Sequence, residues 1–182
     1  MSQTVQEASR RRVVIGGVAA LAALAGAAWL RGGRDEPALP GQEKAGEFWT
    51  LEFDSTGAGG PVRASGFLGQ PLLVNFWATW CPPCVEEMPL LNRFYTENRS
   101  NGWQMLGLAV DKRSAVRRYL RRSPVDFPVG MAQENGVDLM QQLGNSGNML
   151  PFSVLFAADG AVRQRQVGQL DARVLAGWRR AL

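Results

Sequence analysis

Residues 72–84 read LLVNFWATWCPPC, and this stretch decides the fold of the chain. The first six residues, Leu72–Trp77, are apolar apart from Asn75, as expected for a strand that is buried on both faces of a sheet. After the segment WCPPC at 80–84, apolar residues recur every three to four positions, which is typical of an amphipathic helix. These positions are Val85, Met88, Leu91 and Phe94. The sequence therefore predicts a buried strand, a short loop and a helix that begins at the cysteines.

The chain has two cysteines, Cys81 and Cys84, and both lie at the predicted start of this helix. Unpaired backbone N–H groups and the helix dipole favour a thiolate there, and motifs of this kind lower a cysteine pKa from ~8.5 to between ~3.5 and ~7.5. A disulfide that closes such a short loop adds little cross-linking entropy, so a structural role is the weaker interpretation. We expect Cys81 to be exposed and to attack a disulfide, and the more buried Cys84 to resolve the mixed disulfide.

Apolar runs and amphipathic patterns alternate along the rest of the chain. The predicted elements are a hairpin that starts with 48–53, strand 103–110, helix 114–122, helix 135–143, strand 152–157, strand 162–167 and helix 170–181. Asp159-Gly160 marks a tight turn, so the last two strands should form an antiparallel hairpin. This order predicts one α/β domain over residues 47–182, a sandwich with a central mixed β-sheet flanked by helices. Residues 35–46, with two prolines and two glycines, are interpreted as a linker before the domain.

Composition and charge exclude several classes of function. The chain has no histidine, so Ser-His-Asp and Cys-His catalysis and histidine-ligated metal sites are impossible within it. Two cysteines cannot form a four-cysteine zinc site or an intrachain iron–sulfur site. The formal net charge of +4 belongs to residues 1–34, because residues 35–182 carry fifteen basic and fifteen acidic side chains. We therefore expect no nucleic-acid partner, no metal and no cofactor beyond a redox-active Cys81–Cys84 disulfide.

The amino-terminal residues 1–34 are predicted to be an export signal or a membrane anchor. Residues 13–30 carry no charge and follow three arginines at 10–12. Eighteen apolar residues are the lower limit of a membrane-spanning helix, whereas AGA at 25–27 fits a cleavage site, so an anchor and a cleaved signal both remain open. The segment SRRRVV at 9–14 also resembles a twin-arginine export signal. The arginines before the apolar run place the domain across the membrane, in the periplasm, where disulfides persist.

The segment NFWATWCPPC at 75–84 resembles the thioredoxin superfamily, and within it the TlpA/ResA-like group of exported thiol–disulfide oxidoreductases. The resemblance covers about Gly46 to the carboxyl end. Its other features are EMP at 87–89, Leu150-Pro151 before a strand, the turn Asp159-Gly160, and Gly168. It implies a thioredoxin-like sandwich in which Pro151 is cis and sits beside the cysteine pair.

The resemblance also implies a substrate groove formed by Trp80, Leu150 and Pro151. Trp80 would contribute an apolar platform beside Cys81. Because Pro151 lacks an N–H, the preceding backbone at Leu150 is free to pair with an extended substrate segment. Residues 144–150, GNSGNML, replace the shorter segment that is usual before this proline, and this departure affects the shape of the groove.

Proton transfer in a chain without histidine needs another titratable group. Typical thioredoxins have a buried aspartate in the strand before the cysteines, but this chain has Asn75 there. Glu87, three residues after Cys84 and on the same helix face, matches the glutamate that TlpA/ResA-like proteins place near the cysteine pair. Burial would raise its pKa and let it exchange a proton with Cys84. A surface carboxylate is the alternative, and the neighbouring Glu86 is expected to be the solvated one.

The function that the resemblance implies is the reduction of disulfides in exported proteins, in cytochrome c maturation or copper-site assembly. Electrons would come from a membrane thiol carrier, with the domain held at the inner membrane or free in the periplasm. One alternative is an oxidant that donates its disulfide, although residues 112–142 look too short for the helical insertion of DsbA-type oxidants. The other is a copper- or thiol-binding chaperone, whose SCO-like examples use a wider cysteine spacing and a histidine.

A dense group of cations marks the helix predicted at 114–122 and the residues just before it. Its members are Lys112, Arg113, Arg117, Arg118, Arg121 and Arg122. Arg113, Arg117 and Arg121 form one row at i,i+4 spacing on the outer side of the helix. A solvated face is the favoured interpretation, and docking to an acidic partner or to anionic headgroups is the alternative.

Overall fold

The computed structural model describes residues 42–57, 59–132 and 135–182. The helices and strands are, in order, α1 Gln42–Phe48, β1 Glu52–Ser55, β2 Val62–Arg63, β3 Leu72–Trp77, α2 Pro82–Asn98, β4 Gln104–Ala109, α3 Arg113–Arg122, β5 Val129–Met131, α4 Gly136–Gln142, β6 Phe152–Phe156, β7 Val162–Val167 and α5 Ala172–Arg180. The predicted export segment 13–30 lies outside these residues. Within them, none of the helices combines the length and the apolar character that a membrane crossing requires.

In the described part of the chain, seven strands form one mixed sheet in the order β2-β1-β5-β4-β3-β6-β7. The pairs β3–β4 and β4–β5 are parallel, and the remaining pairs are antiparallel. All six residues of β3 are buried, which confirms the prediction for LLVNFW. The turn at Asp159-Gly160 joins β6 to β7 in the predicted antiparallel hairpin.

Helices cover both faces of this sheet, as the sequence predicts. Alternate residues of β3 point to opposite faces because a strand has a side-chain period of two. Leu73 and Trp77 belong to one apolar cluster, which also contains the two cysteines and residues of α2, α3 and α5. Val74 and Phe76 belong to the other, which contains residues of α1 and α4. The fold is thus a thioredoxin-like α/β sandwich, and its cysteine pair lies on the face covered by α2, α3 and α5.

The first elements of the domain differ from the sequence interpretation. The stretch 48–53 was predicted as a strand, but α1 continues to Phe48 and β1 begins only at Glu52. Phe48 is fully buried, and its ring stacks on Phe156 with 4.8 Å between the ring centroids. Helix α1 also overlaps the end of the predicted linker 35–46, where Ala45 is buried against the core. Burial of these side chains against β6 therefore decides the local conformation.

One strand, β5, was not predicted from the sequence. Its three residues, Val129–Met131, are too few to show an alternating pattern. The strand pairs with both β4 and β1, so its conformation depends on contacts far away in the chain.

Candidate active site

The cysteine loop connects the end of β3 to the start of α2. Cys81 is the residue that caps α2, with an extended backbone at φ −101° and ψ 102°. Pro82 and Pro83 occupy the first two helical positions, where a missing N–H breaks no helical bond and the fixed φ suits the helix. The backbone N–H of Cys84 donates to the Sγ of Cys81 at 3.3 Å. In the reduced protein this donor and the helix terminus favour the thiolate of Cys81.

Cys81 and Cys84 form a disulfide, with the two sulfurs 2.04 Å apart. The expectation that Cys81 is exposed is wrong, since only 5% of the residue is accessible, but Cys84 is more deeply buried at 0%. The sulfur of Cys81 turns back toward the helix terminus and joins an apolar cluster that includes Trp77. Cys81 is therefore the only one of the two cysteines with accessible surface.

Glu87 is buried beneath this helix terminus, one turn after Cys84. Only 1% of the residue is exposed, which rules out the alternative of a surface carboxylate, whereas Glu86 is exposed as predicted. Its Oε1 accepts a hydrogen bond from the Nδ2 of Asn75 at 2.8 Å, and its Oε2 accepts one from the N–H of Leu170 at 2.8 Å. Burial raises the pKa of Glu87 from 4.5 to about 7, and these two hydrogen bonds act in the opposite direction.

Asn75 joins three elements of the site. Its Nδ2 also donates to the Oγ of Ser153 on β6 at 3.0 Å, and both side chains are fully buried. Its Oδ1 has no hydrogen-bond partner among the residues described. In the sequence Asn75 stands out only as a departure from aspartate, and neither Ser153 nor Leu170 was predicted to belong to the site. A feature of the sequence could have identified Asn75 and Ser153, because each is the single polar residue of an otherwise apolar strand.

The surface around the cysteine loop carries apolar side chains. Trp80 is 65% exposed, as predicted, and Met149, which the sequence interpretation did not single out, is 58% exposed. Phe76 pairs with Phe152, so Leu150 and Pro151 lie at the end of β3 from which the cysteine loop leaves. The Leu150–Pro151 bond is cis, as the resemblance implies. Within the described residues, neither the N–H nor the C=O of Leu150 makes a hydrogen bond.

The segment before Pro151 is fixed by Asn145. This side chain is buried, with 2% of the residue exposed, and it reaches both backbone groups of Met149. Its Nδ2 donates to the C=O of Met149 at 2.8 Å, and its Oδ1 accepts from the N–H of Met149 at 3.3 Å. The backbone groups of Met149 are thereby paired, whereas those of Leu150 have no partner among the residues described. Asn145 thus fixes the conformation of the backbone just before the cis bond.

Replacement of Asn145 should weaken substrate binding more than it slows the chemistry. Asn145→Ala removes both hydrogen bonds to Met149, each of which contributes about 1 kcal/mol, so the segment is no longer held ready to bind. We expect the KM for a disulfide-bridged peptide to rise about tenfold, which corresponds to ~1.4 kcal/mol, with little change in kcat. Steady-state kinetics of Asn145→Ala and of Met149→Leu, which keeps the backbone contacts, measure this. An unchanged KM in Asn145→Ala would show that the contacts serve stability alone.

Among the described residues, no group of three or more cysteine, aspartate or glutamate side chains is arranged to hold a metal ion. The chemistry that the residues support is dithiol–disulfide exchange at Cys81 and Cys84, with Glu87 as a buried group that can hold a proton at neutral pH.

Comparisons with known proteins agree with this geometry. The Redoxin family model matches residues 43–176. The protein named "Thiol-disulfide oxidoreductase ResA" of a Bacillus cereus strain is 28% identical over 121 residues, which are 66% of this chain and 68% of that protein. The "Thiol:disulfide interchange protein DsbE" of Vibrio cholerae is 35% identical over 108 residues, 59% of this chain and 55% of that protein. The crystal structure of a thioredoxin-related protein from Neisseria meningitidis serogroup B matches with a TM-score of 0.64 at 27% identity, over 71% of this chain and 97% of that one.

Proposed function

The chain belongs to the redoxin family, among its ResA-like thiol–disulfide oxidoreductases, and on this premise we propose that it works as a reductant of disulfides in exported proteins. The observation that carries the proposal is that the Cys81–Cys84 disulfide at the start of α2 is followed, one helical turn later, by the buried and hydrogen-bonded carboxyl of Glu87.

In the first step the thiolate of Cys81 attacks one sulfur of the substrate disulfide. The substrate S–S bond breaks as a new S–S bond joins Cys81 to the substrate, and the displaced sulfur leaves as a thiolate that takes a proton from solvent. The N–H of Cys84 and the start of α2 support the reactive thiolate.

In the second step Cys84 resolves the mixed disulfide. Its thiol gives a proton to the carboxylate of Glu87 and attacks the sulfur of Cys81, and the second substrate sulfur leaves. A pKa of about 7 suits Glu87 to this role, because the group can accept and release a proton at neutral pH. Two electrons pass from the two protein thiols to the substrate, which ends as a dithiol, while Cys81–Cys84 ends as the disulfide.

Continued turnover requires a donor that reduces Cys81–Cys84 again. The segment 13–30 is proposed to export or anchor the domain, which then works in the periplasm, where no reducing thiol pool is available. A dithiol carrier in the inner membrane is the donor that fits this location. The substrates proposed for the reductant are cysteine pairs of apocytochrome c or of copper sites, which must be reduced before haem or copper is attached.

The proposal is tested by mixing the pre-reduced protein with a disulfide-bonded substrate such as insulin, in the absence of other thiols. We expect one substrate disulfide to be reduced for each Cys81–Cys84 disulfide formed. Equilibration with glutathione should then give a reduction potential below about −200 mV, whereas a value near −120 mV would identify a disulfide donor. Failure to reduce any disulfide, together with stoichiometric binding of Cu(I), would instead identify a copper-binding chaperone.

A further inference from the structure

Helix α3 carries a positive surface that the exchange chemistry does not use. The stretch from Lys112 to Arg122 holds six cations and no acid, and all six are exposed. Residues 35–182 are neutral as a whole, with fifteen cations and fifteen acids. Outside Lys112–Arg122, nine cations therefore remain against fifteen acids, a net charge of −6. The positive charge of residues 35–182 is thus concentrated in this one stretch.

This arrangement works against the stability of the helix. Arg113 is paired with Asp54 and donates to the C=O of Ser55 at 3.0 Å. Within the described residues, the other four arginines of α3 make no ion pair: Arg117, Arg118, Arg121 and Arg122. Like charges at i,i+4 destabilise a helix, and the cation Arg113 in its first turn opposes the helix dipole. Arg121 and Arg122 lie in the last turn and are favourable toward the dipole, so the repulsion between the i,i+4 arginines is the main cost. Departures of this kind from local preference are expected where a surface has a function.

Helix α3 starts at the same edge of the sheet as the cysteine loop. The parallel strands β3 and β4 end side by side at Trp77 and Ala109. The Oδ2 of Asp111 accepts hydrogen bonds from the N–H of Thr79 at 2.8 Å and from its hydroxyl at 2.5 Å. The Oδ1 of Asp111 accepts from the N–H of Lys112 at 2.6 Å. One carboxylate therefore joins the cysteine loop to the start of α3.

We propose that the arginine face of α3, defined as Arg117, Arg118, Arg121 and Arg122, docks an acidic segment of the protein whose disulfide Cys81 attacks. The inference rests on the proposed function and adds the charge class of its substrate. The helix is about 15 Å long, a distance that an extended substrate spans with about five residues. Because α3 starts beside the cysteine loop, the proposal places on the arginine face those acidic residues that lie a few positions along the substrate from its reactive cysteine. Complementary charge then raises the rate of productive encounter.

A protein substrate fits this position better than a lipid surface. Every exchange brings a second protein to the edge that carries Trp80 and Cys81, and a layer of headgroups bound beside that edge would compete with it. A second copy of the chain is the remaining candidate for the arginine face. It would present a cleft of about 550 Å³ whose lining includes the acids Glu47, Glu52 and Asp138, and these carry the opposite charge. Peptide kinetics, vesicle binding and sedimentation distinguish these occupants.

The test uses three disulfide-bridged peptides that share one core and differ in flanks of glutamate, glutamine or lysine. Pre-reduced full-length protein is mixed with each peptide, the reaction is quenched with acid, and the second-order rate constant is measured. The variant Arg117→Gln/Arg118→Gln/Arg121→Gln/Arg122→Gln removes the arginine face. The matched control, Arg93→Gln/Arg99→Gln/Arg173→Gln/Arg180→Gln, removes four exposed charges on other segments. Dividing wild-type rates by variant rates cancels the intrinsic reactivity of each peptide.

We expect this ratio to be about tenfold higher for the glutamate peptide than for the lysine peptide at low salt. The preference should vanish near 1 M salt, where the Debye length is about 3 Å. The glutamine peptide should react equally with wild type and variant, and the control variant should keep the wild-type preference. Reduction of all three peptides without a charge preference, or an equal loss in the control, overturns the inference and leaves the proposed function standing. Failure to reduce even the glutamine peptide overturns the proposed function itself.

Two further measurements identify the other occupants. Vesicles of phosphatidylglycerol and phosphatidylcholine should bind the wild type and the arginine-face variant equally, and both proteins should sediment with the same mass. Loss of vesicle binding in the variant, with peptide rates at wild-type values, would overturn the inference in favour of a membrane. A change from dimer to monomer in the variant, again with wild-type peptide rates, would overturn it in favour of a second copy.

Discussion

The Cys84→Ser variant, mixed in its reduced form with a disulfide-bonded protein, is expected to stop at a covalent complex between Cys81 and the substrate. Cys84 is held next to Cys81, and a neighbouring group of this kind reacts as if present at about 10⁵ M or more. Without it, release depends on external thiols, so turnover should fall at least about a thousandfold. Non-reducing electrophoresis and mass spectrometry detect the complex, and a disulfide-reduction assay measures the turnover.

The matched variant Cys81→Ser should form no complex and show no turnover. This expectation follows from the burial of the two sulfurs, since Cys84 is inaccessible at 0% and Cys81 retains 5% of its surface. Accumulation of a complex in Cys81→Ser, with none in Cys84→Ser, would reverse the order of attack.

The second large effect is expected in Glu87→Gln, which should lose the part of the pH dependence of stability that comes from Glu87. Glu87 has a pKa of about 7 in the folded protein and 4.5 as its ordinary value. Between these values the folded protein holds a proton that the unfolded chain has released, so stability falls as pH rises. The stabilisation from the extra proton on Glu87 is fully present below pH 4.5 and is lost by about pH 7. The free energy of unfolding falls by roughly 3 kcal/mol over this range.

Glutamine stays neutral over this range, so Glu87→Gln should gain stability relative to the wild type as pH rises from 4.5 to 7. Denaturant unfolding of both oxidised proteins across this range measures the difference. Glu86→Gln, at the exposed neighbouring position, is the control and should keep the wild-type pH dependence. Equal slopes for Glu87→Gln and the wild type would show that Glu87 is ionised throughout.

Glu87→Gln should also slow the resolving step, because Cys84 loses the group that takes its proton. General-base contributions of this kind are about a hundredfold or more, so decay of the mixed disulfide should slow by about that factor at pH 7. Rapid acid quenching follows the decay, and Glu86→Gln again serves as the control. If titration of the cysteines gives the same thiol pKa values in Glu87→Gln as in the wild type, Glu87 does not exchange a proton with Cys84.

The parts of the fold that were predicted correctly are those with a strong local pattern. β3 was predicted with its exact bounds because its residues are nearly all apolar. A helix starting at the cysteines was predicted because apolar residues recur there at helical spacing, although its end was not predicted. The stretch after Phe48 was misassigned, because its conformation depends on contacts with β6 and on the hydrogen bond from the Nε1 of Trp49 to the C=O of Gly160, 3.0 Å long. A contact between residues so far apart in the chain leaves no local pattern.

The same distinction applies to the site. Cys81, Cys84 and Glu87 lie within seven consecutive residues, so spacing and resemblance identified them. Ser153 and Leu170 meet Asn75 and Glu87 only through pairings that span about 80 residues of sequence. The burial of Cys81 was also missed, because its side chain turns toward the N–H of Cys84 instead of toward solvent.

The redox state of Cys81 and Cys84 in living cells tests most directly whether this enzyme is a reductant. Cells are quenched with acid, free thiols are alkylated with a reagent that adds mass, and the two forms of the protein are separated. A reductant kept ready by a dithiol donor should be found mostly reduced, and it should become oxidised when that donor is removed. A pair that is mostly oxidised in growing cells would contradict the account and identify the protein as a disulfide donor.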